Sequence, residues 1–278
     1  MRELAGRTAF VTGGASGIGF ALGRAFAEAG MNVMLADIES DALSAAVQRL
    51  RDVGPAVRGV ACDVADPLSV ERAAEASYAA FGRVHVICNN AGVAGGGGID
   101  DIALDTWRWV LDVNVMGVVH CIRAFLPHLR AHGEGGHIVN TASMAGMLRP
   151  LGLSPYAASK FAVVAISEGL ALQLQPLGIG VTVLCPGFVR SRISDSQRNR
   201  PARYGTRQHP DPASAAGAMA SRIAELVQSG LDPSAVAART LAAIRADELY
   251  VFTHAAMRAG AAERFAAILA AMDKAAAG

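Results

Sequence analysis

The sequence predicts an α/β fold, a doubly wound parallel sheet with helices on both faces. Three observations carry that expectation. Apolar, β-branched runs of four to six residues recur along the first two-thirds of the chain, longer helical patterns separate them, and a glycine-rich turn follows the first run. Runs that are apolar throughout, rather than alternating, mark strands buried on both faces. The right-handed crossover rule then leaves a doubly wound sheet as the natural topology.

Thr8–Thr12 reads as the first strand and Ile18–Ala29 as a helix ended by Gly30. Asn32–Asp37 is the second strand, followed by a helix near Asp41–Val53. Val57–Cys62, Val84–Cys88, His137–Ala142 and Gly180–Cys185 repeat the strand pattern, and one long helical stretch fills Asp105–Leu129. Beyond Pro186 the rhythm changes. Arg190–Pro212 is polar, rich in Arg, Ser and Pro, and has no period; helical patterns near Ala213–Ser229 and Pro233–Ala246, a strand candidate at Leu249–Thr253 and an Ala-rich helix from Arg258 follow. Too little chain follows the polar stretch to build a second core. Residues 1–278 are therefore read as a single domain, with 190–230 as a substrate-binding loop or lid. On Ala261–Ala277, Phe265, Ile268, Leu269 and Met272 form one apolar stripe, expected to pack on its own domain, with a neighbouring subunit as the alternative.

Composition excludes several classes. The chain has 278 residues, 52% of them hydrophobic, and 25 basic against 24 acidic side chains give a net charge of +1. It can bury a substantial core, and its charge makes no case for nucleic acid or an anionic membrane as partner. Cys62, Cys88, Cys121 and Cys185 contain no CxxC pair and read as buried thiols rather than a metal or disulfide frame. Met1-Arg2-Glu3-Leu4 lacks the apolar core of a signal peptide, and no unbroken run of 18 apolar residues offers a membrane span. A soluble, cytoplasmic protein is expected.

The first strand runs into Thr12-Gly13-Gly14-Ala15-Ser16-Gly17-Ile18-Gly19, which opens a helix. Glycines there permit a tight turn and let the backbone approach a pyrophosphate, and the helix N-terminus offers free N–H donors to it. Asp37 ends the second strand 18 residues after Gly19, where a carboxylate can accept from a ribose 2′-OH. A 2′-phosphate would meet Asp37 and Glu39 with like charge, and neither Ser16 nor Ile38 is basic. NAD(H) is thus favoured over NADP(H), unless a basic residue arrives from elsewhere.

Tyr156 and Lys160 stand four apart, on one face of a helix. An ammonium within about 4–6 Å favours the phenolate, so Lys160 is expected to lower the Tyr156 pKa. Moving it from about 10 to about 7 takes roughly 4 kcal/mol. A Tyr so tuned exchanges protons with an alcohol or carbonyl near neutral pH. The chain has 23 Arg but only two Lys, Lys160 and Lys274, which suggests that position 160 needs a compact ammonium. Ser143 follows the run His137–Ala142, placing a hydroxyl in the crevice where open sheets bind ligands. Asn114, polar among Val113, Val115 and Met116, either satisfies a backbone carbonyl or holds an ordered water.

Together these residues resemble the short-chain dehydrogenase/reductase family in its single-domain form. Thr12–Gly19, Asp63-Val64, Asn89-Asn90-Ala91-Gly92, Asn114, Ser143, Tyr156-xxx-Lys160 and Pro186-Gly187 occur in family order, over roughly Leu4 to Ser191. The resemblance implies a Rossmann-like sheet of about seven strands, an NAD(P)(H) site and a homo-oligomer, tetramer or dimer. It makes Tyr156 the general acid/base and Ser143 the group that orients the substrate oxygen. Lys160 would bind the nicotinamide ribose, and Asn114 would hold a water relaying protons from Lys160. Gly13, Ser16, Gly17, Ile18 and Gly19 would cradle the cofactor, with Asp63 and Val64 at the adenine. Asn90, Ala91 and Gly92 would line the adenosine side, and Pro186, Gly187, Val189 and Ser191 the nicotinamide. Ser191 stands where the family often has Thr, keeping the hydroxyl.

Met144, the Leu148–Leu153 loop, Phe188 and Arg190–Pro212 are expected to wall the substrate pocket, with Gly95–Gly98 as its rim. Apolar Met147–Leu153 argues against a sugar or polycation. The tail resembles members with an enlarged lid, including bacterial Cα-dehydrogenases of lignin-type aryl ethers. The expected reaction is NAD(P)-dependent interconversion of a hydrophobic, aryl or bulky, secondary alcohol and its ketone. An epimerase or dehydratase with retained NAD and a non-catalytic dinucleotide sensor are the alternatives. Deleting Ser196–His209 is expected to alter substrate range more than cofactor affinity.

Overall fold

Seven strands form one sheet: β1 (Thr8–Thr12), β2 (Asn32–Asp37), β3 (Val57–Ala61), β4 (Val86–Asn89), β5 (Gly136–Thr141), β6 (Ile179–Cys185) and β7 (Tyr250–Phe252). All pairs are parallel, as the sequence predicts, and the order is β3-β2-β1-β4-β5-β6-β7. The computed structural model describes every residue except Gly97, Gly98, Asp101, Gln208, His209, Ala277 and Gly278. The chain reverses direction across the sheet between β1 and β4, so a crevice opens beyond the carboxyl ends of those strands.

Helices α1 (Gly17–Glu28), α2 (Ser40–Leu50) and α8 (Pro233–Ala246) cover one face. Helices α3 (Pro67–Phe81), α5 (Gly117–His132) and α6 (Ser154–Leu174) cover the other, while α4 (Leu104–Leu111) and α7 (Ala215–Gln228) lie toward the crevice. The strands show why their apolar runs do not alternate. Phe10, Met34, Ile87 and Ile138 join the core under α3, α5 and α6, while their neighbours Val11, Leu35, Val86 and Val139 join the core under α1 and α8. Period-two geometry sends successive side chains to opposite faces, and each face has its own core. Phe10 and Phe125, both fully buried with ring centroids 4.5 Å apart, tie sheet to helix layer.

Three elements differ from the sequence expectation. Strand β4 begins at Val86 rather than Val84, because the His85 ring nitrogen Nδ1 takes the Thr8 N–H at 3.2 Å. The helical stretch expected from Asp105 to Leu129 breaks into α4, a π-turn at Asp112–Met116 and α5. The wider turn carries Asn114, fully buried; π-turns often mark functional positions. On α9 (Arg258–Ala276), Phe265, Ile268, Leu269 and Met272 are 37–63% exposed, so the apolar stripe is not covered by its own domain.

The continuous helical stretches Leu104–His132 and Ser154–Leu177 are long and apolar enough to cross a membrane by length and composition. Each instead presses one face on the protein core and buries polar groups, Asn114, Ser159, Lys160 and Ser167 among them. Such groups are costly against lipid.

His137, fully buried on β5, makes a stability prediction. Its Nε2 lies 2.8 Å from Thr182 Oγ1, whose own proton goes to the Glu248 carbonyl, so the imidazole must be the donor. Among the described residues Nδ1 has no hydrogen-bond partner, the Asp247 carboxylate standing off at 3.8 Å, and burial pushes the His137 pKa down to about 3. The unfolded chain takes the proton near pH 6.5, so this stabilising contribution is complete above 6.5 and is lost as pH falls toward 3. The loss is about 1.4 kcal/mol per pH unit. His137→Gln, which keeps a donor and does not titrate, should flatten the acid limb of urea-unfolding stability between pH 6 and 4. An unchanged slope would show that His137 is not the group responsible.

Candidate active site

Thr12, last residue of β1, is the strut on which the crevice is built. Its hydroxyl donates to the Cys88 carbonyl (3.3 Å) and accepts from the N–H groups of Asn90 (2.9 Å) and Ala91 (3.0 Å). Asn90 returns a bond from Nδ2 to the Thr12 carbonyl (3.1 Å). The ends of β1 and β4 are thereby fixed where the sheet reverses. Nothing in the sequence singled out Thr12 beyond its place at the head of the glycine turn.

The turn requires its glycines. Gly13 and Gly17 adopt left-handed backbone, φ +64° and +54°. A Cβ on Gly19 would stand 2.1 Å from the Gly13 carbonyl oxygen and 2.6 Å from Asn90 Nδ2. Ser16 precedes α1 with an extended backbone and makes no cap hydrogen bond, and neither Ile18 nor any other first-turn residue is acidic. Among the described residues the N–H groups of the first turn of α1 have no side-chain cap, a ready site for an anion.

Asp37, buried at the end of β2, is locked against this turn. Its Oδ2 accepts from the Ala15 N–H and its Oδ1 from the Glu39 N–H, each at 3.0 Å. Asp63, beyond β3, accepts from the Ala65 N–H and from Arg203 (2.7 Å), and Val64 is buried beside it. These residues fit a dinucleotide: the pyrophosphate would lie at Gly13–Gly19, the adenosine ribose at Asp37 and the adenine near Asp63.

Ser143 lies two residues beyond β5 and caps a short 3-10 turn, Met144–Gly146; its Oγ accepts from the Ala145 N–H (3.1 Å) and reaches the Pro186 carbonyl (3.4 Å). Tyr156 and Lys160 stand in the first turns of α6. Lys160 is buried, its Nζ 5.5 Å from the Tyr156 ring centroid and donating to the Thr141 carbonyl at 2.8 Å. A Cβ on Gly92 would come within 3.5 Å of the same Nζ, so Gly92 lies close against the amine.

The electrostatics correct one expectation. In the chain alone Tyr156 is not made acidic. Removal of water raises its pKa above 10, and the Ser143 hydroxyl opposes this only in part. Burial also pushes Lys160 down to about 8. Desolvation thus outweighs the ammonium's pull until a further positive charge enters the crevice.

Asn114 resolves the choice left open by its surroundings. Its Oδ1 accepts from the Val93 N–H (2.8 Å), and Nδ2 donates to the Val93 carbonyl and to Ser159 Oγ, both at 3.0 Å. The amide satisfies backbone and joins α6 to the segment after β4.

At the nicotinamide end, Pro186 and Val189 are buried, and Val189 bridges to Leu231. The Gly187 N–H meets Thr253 Oγ1 (3.2 Å) at the end of β7. Ser191 sits over the glycine turn: a Cβ on Gly17 would be 3.1 Å from its Cβ.

The expected pocket walls separate. Leu153 and Phe188 are half-buried near the crevice, but Met144 is only 5% exposed and belongs to the main core. Gly97 and Gly98 of the expected rim lie outside the described residues, as does His209 of the expected lid. The segment read as a substrate lid makes several contacts with residues that follow the strands. Arg198, Asn199 and Arg192 hold Glu39, Arg203 holds Asp63, and Ser196 Oγ accepts from the Ala94 N–H (3.0 Å). Those partners follow β2, β3 and β4. Arg200 and Tyr204 fasten it to α4 and the π-turn, through Thr106 (2.8 Å) and Asp112 (2.9 Å).

A doubly wound parallel sheet with a glycine turn at its point of reversal, and Ser, Tyr and Lys converging beside it, defines a dinucleotide-binding oxidoreductase. The short chain dehydrogenase family matches residues 7–202, and the chain belongs to that family. It is 33% identical over 270 residues to the C alpha-dehydrogenase of Sphingobium sp. SYK-6, covering 97% of this chain and 87% of that protein. It is 36% identical over 199 residues to 3beta-hydroxysteroid dehydrogenase 2 of Eggerthella lenta, covering 70% of this chain and 75% of that protein. Among solved structures, a short chain dehydrogenase/reductase of Burkholderia phymatum in complex with NAD superposes with a TM-score of 0.92 at 40% identity, over 96% of each chain. The protein is an alcohol oxidoreductase of this family.

Proposed function

We propose that the protein interconverts a hydrophobic secondary alcohol, aryl or bulky, and its ketone, with NAD(H) as the preferred cofactor. One observation carries this reading: Tyr156, Lys160 and Ser143 meet at the carboxyl ends of the strands, beside the glycine turn. When bound, the nicotinamide accepts or delivers hydride. The chain's own groups do the rest. Ser143 Oγ donates a hydrogen bond to the reacting oxygen, and Tyr156 Oη takes the hydroxyl proton in oxidation or returns it in reduction. Lys160, oriented by the Thr141 carbonyl, binds ribose and favours the phenolate. Asp37 supports the NAD preference because its buried carboxylate would repel a 2′-phosphate.

The Cα- and hydroxysteroid dehydrogenase relatives support a bulky substrate, as does the apolar Met147–Leu153 loop, where Leu151 is 84% exposed. Four buried free thiols suit a reducing cytoplasm. The uncovered stripe of α9 supports a homo-oligomer.

The test is a panel of aryl and bulky aliphatic secondary alcohols, each with NAD and NADP, read by absorbance of the reduced nicotinamide. Net NADH formation from NAD with several panel members, and slower NADPH formation from NADP, is the expected result. Tight NADH binding with no net turnover on any alcohol would instead favour an epimerase or dehydratase that retains its cofactor, or a sensor.

A further inference from the structure

Beyond Asp37, the adenosine rim carries an arrangement that the glycine turn and the Tyr-Lys pair do not use. Glu39 follows Asp37 by two residues, and its N–H is bonded to the Asp37 carboxylate, so its side chain starts at the ribose. That carboxylate receives Arg198 through both Nε (3.1 Å) and Nη2 (2.6 Å), Asn199 Nδ2 (2.8 Å) and Arg192 Nη1 (3.4 Å). These partners lie more than 150 residues away in sequence. Arg192 and Arg198 are basic groups of the kind that neither Ser16 nor Ile38 supplies.

Arg198 does not depend on Glu39 for its position. Its Nη1 donates to the carbonyls of Arg192 (2.9 Å) and Asp195 (2.8 Å), so its own loop holds the guanidinium at the rim. The Arg207 guanidinium braces the same loop from outside, donating to the Arg198 carbonyl. The ion-paired groups here are Asp37's neighbour Glu39 and Asp195 against Arg192 and Arg198. Asp37, bonded to the Ala15 and Glu39 N–H groups, adds a further carboxylate.

We propose that Glu39 is a second determinant of cofactor choice: it occupies Arg198 and Arg192, which would otherwise receive a 2′-phosphate. This rests on the reading of the crevice as a dinucleotide site with Asp37 at the adenosine ribose. A guanidinium forks onto phosphate as readily as onto carboxylate. With Glu39 ionised, its carboxylate occupies Arg198 and Arg192, and a 2′-phosphate meets the carboxylates of Asp37 and Glu39. With residue 39 neutral, a fixed guanidinium beside the ribose becomes free to pair.

The experiment titrates the full-length protein with NADH and with NADPH, following nicotinamide fluorescence at low ionic strength. Three forms are compared: wild type, Glu39→Gln and Glu39→Gln/Arg198→Gln. Wild type should bind NADH more tightly. Glu39→Gln should shift the ratio of dissociation constants toward NADPH by about tenfold, the size of one charge-assisted pair. The double variant should return the ratio to the wild-type value. A Glu39→Gln variant that loses affinity for both cofactors equally would show that Glu39 only holds the segment in place, and would overturn the proposal. So would an NADPH gain that survives Arg198→Gln. Failure of wild type to bind either cofactor would overturn the dinucleotide reading itself, a separate outcome.

Discussion

Tyr156→Phe is expected to lower turnover of the best alcohol by about 100-fold or more, while NADH affinity stays within about twofold of wild type. Phe keeps the ring that packs near Lys160 and deletes only the oxygen that moves the proton. The pH dependence follows from the direction of the Tyr156 pKa. Burial holds it above 10 in the chain alone, so at neutral pH the group is a phenol, ready to donate to a ketone. Oxidation needs the phenolate. Lys160, its Nζ 5.5 Å from the ring centroid, favours the phenolate, but burial outweighs it in the chain alone. Reaching pKa 7 takes about 4 kcal/mol with burial opposing, so the rest must come from the charge that bound NAD brings. Oxidation by wild type should therefore rise with pH through an ionisation well below 10, and reduction should fall through it. In Tyr156→Phe the residual rate should lose that step. Near-normal turnover, or an unchanged pH profile, would remove Tyr156 from its role.

The fold was legible because local chemistry set it. Each strand is short and apolar throughout, and both of its faces meet a core, so periodicity alone marked β1, β2, β3, β5 and β6. The catalytic constellation was legible because spacing along one helix places Tyr156 and Lys160 together, whatever surrounds them. Other features depend on contacts that no local pattern carries. Asn114 sits in a π-turn, and a helical period cannot reveal where one extra residue is accommodated. The Glu39–Arg198 pair joins residues 159 positions apart. The segment Arg190–Pro212 reads as a polar loop near the site, and no local pattern shows that its arginines reach Glu39 and Asp63, beyond β2 and β3. The sign of the Tyr156 shift was misread for a related reason: the ammonium is visible in sequence, whereas the water lost from around the phenol is not.

Gly19→Ala is expected to weaken NADH binding by about 100-fold or more, the scale of a displacement near 1 Å in a positioned site. One methyl suffices because of what it meets. The new Cβ would stand 2.1 Å from the Gly13 carbonyl oxygen, against backbone that cannot rotate aside. Either Gly13 moves, or α1 does. Gly13 is held at φ +64°, and Asn90 Nδ2, the next contact at 2.6 Å, is held by the Thr12 carbonyl. Displacement of this turn pulls the N–H groups of α1 away from the pyrophosphate. The strain should also lower stability by about 1–3 kcal/mol, as overpacking does. Gly169 provides the contrast. It lies within α6 with nothing inside 4 Å of a would-be Cβ, so Gly169→Ala should raise the melting temperature slightly and leave NADH binding unchanged. NADH titration and thermal unfolding of both variants check the pair. If Gly19→Ala binds NADH like wild type, the turn at Gly13–Gly19 is not where the cofactor's phosphates lie.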